Sequence, residues 1–81
     1  MPLLSFEEEL YYRRLIKKHL EEFDDNMTMA DAEECYDDWG RPNIKYYIMF
    51  AEYLEAHGER VDVLKLIFVH AVMFDLISKS N

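Results

Sequence analysis

The chain has 81 residues, of which 51% are apolar and 15% aromatic, and its 17 acidic and nine basic residues leave a net charge of −8. A chain of this length holds one small core, so we expect a single domain over residues 1–81, and the apolar content excludes a disordered chain. The negative charge excludes general affinity for nucleic acid or anionic membranes, because both need clustered Lys and Arg.

The cysteine content and the chain start favour a cytoplasmic protein. Cys35 is the single cysteine, so no disulfide forms within the chain. Residues 1–5 lack the basic start and the long apolar run of a signal peptide. The run from Val61 to Ile77 is the one membrane candidate, but its charged and polar residues predict a buried core helix instead. Those residues are Asp62, Lys65, His70 and Asp75.

The first predicted helix runs from about Phe6 to Phe23. Ser5 followed by Glu8 is typical of a capping box. Apolar residues then recur every three or four positions, as on one face of an amphipathic helix. They include Tyr12, Ile16, Leu20 and Phe23.

The second predicted helix starts after Thr28, which can cap it, and ends at Gly40, a residue type that often follows a helix. Its apolar residues keep helical spacing and predict a buried face. They are Met29, Ala32, Cys35, Tyr36 and Trp39.

Two further helices complete an all-α prediction. The third runs from a cap at Asn43 to about His57, and Gly58 ends it. The fourth runs from about Val61 to Ser78 and is apolar on nearly every side, which predicts a central helix or one that another chain covers. Valine-rich residues 61–66 also alternate as in a strand, and this alternative stays open. We favour a compact bundle of about four helices with short loops between antiparallel neighbours.

No pattern in the sequence predicts catalysis, a metal site or a cofactor. The histidines His19, His57 and His70 lie far apart, and no metal-binding pair or Gly-rich phosphate loop occurs. We expect His57 to stabilise a helix end and His70 to lie hydrogen-bonded in the core. A catalytic Cys35 is disfavoured, because its acidic helix raises a thiol pKa. The stretch that begins at Asp24 resembles a calcium loop only in its opening residues.

Acidic residues concentrate between Glu21 and Asp38, where nine acids occur without a Lys or Arg. Residues 1–40 hold twelve acids and four bases, whereas residues 41–81 hold five of each. On the predicted second helix, five carboxylates would span about 10 Å, or about one charge per 2 Å, close to the charge spacing of duplex DNA. They belong to Asp31, Glu33, Glu34, Asp37 and Asp38.

This charge pattern predicts an inhibitor or adaptor rather than an enzyme. Its acidic helix would dock on the basic surface of a partner protein, including a site built for nucleic acid, which it would occupy as a DNA mimic. The other interpretation is a solvated face that only keeps the protein soluble.

A different class of function would use apolar contacts. The third helix carries a second aromatic stripe beside its core-facing one, and the stripe is either core or a protein interface, most simply that of a homodimer. Such a module would associate through the third and fourth helices and leave the acidic helices outward. The stripe consists of Tyr46, Phe50 and Tyr53, and Met49 lies close by.

Overall fold

The computed structural model describes residues 4–74, which contain four α-helices and no strand. The helices are α1 (Phe6–Asp25), α2 (Met29–Cys35), α3 (Ile44–Ala56) and α4 (Val63–Met73). The all-α prediction is therefore confirmed, and the strand alternative for residues 61–66 is wrong. The predicted end of the fourth helix, residues 75–78, lies outside the described residues.

Side-chain caps set where the helices begin. The hydroxyl of Ser5 accepts the Glu8 N–H at 3.1 Å, and the Glu8 carboxylate accepts the Ser5 N–H at 3.1 Å, which confirms the capping box. The side chains of Thr28, Asn43 and Asp62 accept backbone N–H groups of α2, α3 and α4 in the same way. Each cap satisfies donors that have no partner inside the helix.

The core lies where α3 packs against α1 and α4, while α2 packs against α3. Its centre is aromatic. The rings of Phe23 and Phe50 stack with centroids 4.8 Å apart, and the rings of Phe23 and Tyr46 pack edge to face with centroids 5.5 Å apart. Such ring pairs add to the burial energy of the apolar surface. The largest fully buried side chains are Phe50, Ile16, Leu54, Leu66, Val69 and Cys35.

The fourth helix is not enclosed, although its sequence is apolar almost all round. The Cα atoms extend 38 × 35 × 17 Å, and the shortest extent fits two layers of helices at about 8–10 Å between axes. Each helix in such a flat body keeps a side toward solvent. On α4 that side carries Leu64, Phe68 and Val72, which are exposed at every fourth position. Within residues 4–74, no helix has both the length and the apolar character needed to cross a membrane.

Candidate functional site: the acidic surface and the Trp39 loop

The second helix is shorter than the sequence predicts, because its last carbonyl groups are bonded from outside the helix. The Asn43 side-chain amide donates to the Glu34 carbonyl oxygen at 2.7 Å, and the Asn43 backbone N–H donates to the Cys35 carbonyl oxygen at 2.9 Å. These oxygens would otherwise accept from a further helical turn. Tyr36 follows in extended backbone. The predicted extension of this helix to Gly40 is therefore wrong.

Residues 36–42 form a closed loop between α2 and α3, which we call the Trp39 loop. Its ends pair through an isolated antiparallel bridge between Tyr36 and Pro42. One step further in, the Asp37 N–H donates to the Arg41 carbonyl oxygen at 2.9 Å. The base of the loop is thus closed by backbone contacts.

The side chain of Asp37 organises the tip of this loop. One carboxylate oxygen accepts the backbone N–H groups of Trp39 and Arg41, each at 2.9 Å. The Gly40 N–H donates to the Asp37 carbonyl oxygen at 3.0 Å, and Gly40 has a φ of 76°, a conformation that glycine adopts without strain. Asp37 therefore holds the loop together, a role that the sequence analysis missed.

The apolar residues at the two ends of the predicted second helix point outward. Met29 is 83% exposed and Trp39 is 87% exposed, whereas Cys35 is fully buried. The predicted buried face is wrong at both ends, because α2 packs only against α3 and the Trp39 loop leaves the helix direction after Cys35.

The five predicted docking carboxylates fall into two groups. Two are engaged: Glu34 pairs with Lys45, and Asp37 accepts the backbone bonds of its loop. The side chains of the other three form no hydrogen bond or ion pair with any residue between 4 and 74; they are Asp31, Glu33 and Asp38. Glu33 and Asp38 are exposed and Asp31 is half-buried. We call these five residues the acidic surface; three belong to α2 and two to the loop.

The acids at the end of α1 bind tyrosine hydroxyls of α3. The Tyr53 hydroxyl donates to the Glu22 carboxylate at 2.7 Å, and the Tyr46 hydroxyl donates to the Asp24 carboxylate at 2.8 Å. Loss of water around Asp24 raises the pKa of its carboxyl above the ordinary value, although the Tyr46 bond opposes this. These carboxylates therefore join α1 to α3.

The aromatic stripe of α3 lies mainly in the core. Tyr46 and Phe50 are buried, and Met49 and Tyr53 are half-buried. The interface interpretation is wrong for Tyr46 and Phe50, because Phe23 and Tyr36 cover them from α1 and the Trp39 loop. The core interpretation describes both residues.

Two histidines have structural roles of the kind expected. His57 follows α3, and its Nδ1 lies 2.8 Å from the Tyr53 carbonyl oxygen, to which it donates. His70 is buried, and its Nδ1 lies 3.1 Å from the Tyr47 hydroxyl. Burial lowers the pKa of His70 to about 4, so the ring is neutral at pH 7.

His19 and Cys35 do not contact each other. His19 Nε2 is buried 3.6 Å from a Glu59 carboxylate oxygen, beyond hydrogen-bond distance. The Cys35 thiol instead donates to the Met49 sulfur at 3.4 Å, and burial raises the thiol pKa. A thiol in this environment is not activated as a nucleophile.

Between residues 4 and 74, no three side chains of metal-binding type are arranged to hold an ion. No protein-family description, curated protein or solved structure matches the chain. Helical spacing predicts a buried Trp39, whereas the ring is exposed; its position between Asp38 and Gly40 is typical of a turn.

Proposed function

We propose that the protein is an inhibitor or adaptor whose acidic surface docks on a basic site of a partner protein. The observation that carries the proposal is that the exposed carboxylates of Glu33 and Asp38 form no ion pair with any Lys, Arg or His among residues 4–74. Glu34, by contrast, forms an ion pair with Lys45. Carboxylates without an internal cation remain available to Lys or Arg of another protein.

The division of the carboxylates changes how the proposal is tested. Asp37 should stay unchanged, because its replacement would disturb the Trp39 loop rather than remove a docking charge alone. Glu34 should also stay, because its loss would leave Lys45 unpaired. Glu33 and Asp38 are exposed and can become amides with little effect on folding.

We expect the double change Glu33→Gln and Asp38→Asn to weaken partner binding about ten-fold or more at low salt, since each lost charge contact contributes about 1 kcal/mol. The partner is first captured from the native host on the immobilised wild-type protein and purified. Its equilibrium affinity is then measured for each variant, at low and at physiological salt. Added salt should weaken the wild-type complex more than that of the double variant.

A matched control removes the same charge from another surface. Glu52 and Glu55 are exposed on α3, and changing both to glutamine alters the net charge equally. This control should keep wild-type affinity. Equal affinities for both double variants, without a salt effect, would mean that the acidic surface is only solvated.

A second candidate function, from another class, is a homodimeric module that acts through apolar contacts. It is supported by Leu64, Phe68 and Val72, which form an exposed uncharged stripe along α4. Ile44 and Ile48 of α3 are exposed as well. Soluble monomers usually avoid large apolar patches of this kind.

If this second candidate holds, we expect light scattering after size exclusion to give twice the chain mass of 9.8 kDa at micromolar concentration. The association should resist added salt, because no charged side chain lies on the α4 stripe itself. Phe68→Glu should give the monomer mass, since it places a charge in the contact, while Glu52→Gln should leave the mass unchanged. A wild-type mass of 9.8 kDa over a hundred-fold dilution range would contradict the homodimer hypothesis.

A further inference from the structure

The Trp39 side chain is exposed on an ordered loop of net negative charge, and docking through carboxylates alone does not require an exposed tryptophan. Its side chain is 87% exposed, although it is the only tryptophan in the chain. Tryptophan contributes more than most residue types at the centre of protein interfaces, because its large ring buries much apolar surface.

The backbone that presents Trp39 is already ordered. Its own N–H is bonded to the Asp37 carboxylate at 2.9 Å, and the loop ends are joined by the bridge between Tyr36 and Pro42. A partner that binds this loop does not have to order its backbone, so less of the contact energy is lost to conformational entropy.

The charges beside Trp39 select the chemistry of the partner. Asp37 and Asp38 directly precede Trp39 in the chain. Arg41, the loop's single cation, lines a shallow cavity together with Asp37 and Trp39, and the loop as a whole carries a net negative charge. A guanidinium can stack its plane on an indole ring and donate to a neighbouring carboxylate at the same time. An ammonium group is a compact, strongly hydrated charge and matches this combination less well.

We propose that Trp39 is a recognition residue for arginine, whose guanidinium stacks on the exposed indole while Asp38 accepts its hydrogen bonds. This inference rests on the proposed function of the acidic surface and specifies its partner as an arginine-bearing protein surface. The acidic surface supplies attraction to any cation, and Trp39 increases the preference for arginine over lysine.

The test uses the whole chain and two defined probes, fluorescently labelled hexa-arginine and hexa-lysine peptides, whose dissociation constants are measured by anisotropy at low salt. Carboxylates alone already favour arginine to some degree, so the decisive quantity is the ratio of the two constants. We expect Trp39→Leu to reduce the preference for hexa-arginine about two- to five-fold, the contribution typical of an exposed cation–π contact. Trp39→Phe should reduce it less, because the phenyl ring is a weaker cation acceptor.

The outcomes separate this inference from the proposed function. The variant Glu33→Gln with Asp38→Asn should weaken both peptides, whereas Trp39→Leu should weaken mainly hexa-arginine. An unchanged peptide ratio in Trp39→Leu overturns the role of Trp39 and leaves the acidic surface in place. If neither peptide binds the wild-type protein, both proposals are overturned. Circular dichroism should show unaltered helix content in Trp39→Leu, since the side chain packs against little of the fold.

Discussion

Replacing Phe50 with alanine is expected to lower the free energy of unfolding by about 3–5 kcal/mol, the range for large aromatic residues in a core. Phe50 is fully buried, and its ring stacks on Phe23 with centroids 4.8 Å apart. The change removes this contact and leaves a cavity between α1 and α3. Because a small domain has a total stability of about 5–15 kcal/mol, the loss is a large fraction of it. Urea unfolding followed by circular dichroism measures the difference.

The same substitution at an exposed phenylalanine serves as the control. Phe6 is 77% exposed at the start of α1, so Phe6→Ala should change stability by less than about 1 kcal/mol. If Phe50→Ala is unfolded without denaturant, Phe50→Leu keeps most of the volume and gives a measurable intermediate value. A loss below about 1 kcal/mol for Phe50→Ala would contradict an aromatic centre of the core.

Acidification from pH 6.5 to pH 4 is expected to destabilise the protein through His70. Burial holds the pKa of this ring at about 4 in the folded chain, against an ordinary value of 6.5. As the pH falls below 6.5, His70 binds a proton in the unfolded chain but not in the folded chain, so the equilibrium shifts toward unfolding. The stability that His70 contributes is complete above pH 6.5 and is lost by pH 4. The loss amounts to about 3 kcal/mol.

The variant His70→Asn isolates this contribution. The asparagine side-chain oxygen can take the place of Nδ1 opposite the Tyr47 hydroxyl, which lies 3.1 Å from it in the wild type, but asparagine does not titrate. We expect a lower overall stability and a flatter pH dependence between 4 and 6.5, measured by urea unfolding at each pH. Subtracting the two profiles also removes the opposite effect of Asp24, whose raised pKa favours the folded state in acid. Parallel profiles would show that His70 is not buried as a neutral ring.

The amino-acid sequence alone determined where most helices begin. Ser5, Thr28 and Asn43 accept backbone N–H groups from residues two or three positions ahead, and such a cap depends only on local chain geometry. Glycine at position 58 marked the end of α3 for the same local reason, because its φ of 85° suits glycine. The sequence also determined the charge of the acidic stretch, which depends on composition alone.

Tertiary structure decided where α2 ends and which aromatic residues face water. Residues up to Trp39 keep helical spacing, yet α2 ends at Cys35 because Asn43, eight positions later, binds its last carbonyl groups. Local periodicity contains no information about a donor that arrives from the next helix. The same bonds start the turn that exposes Trp39 and ties Asp37 into the backbone, so the candidate site became visible only with the packing of α2 on α3.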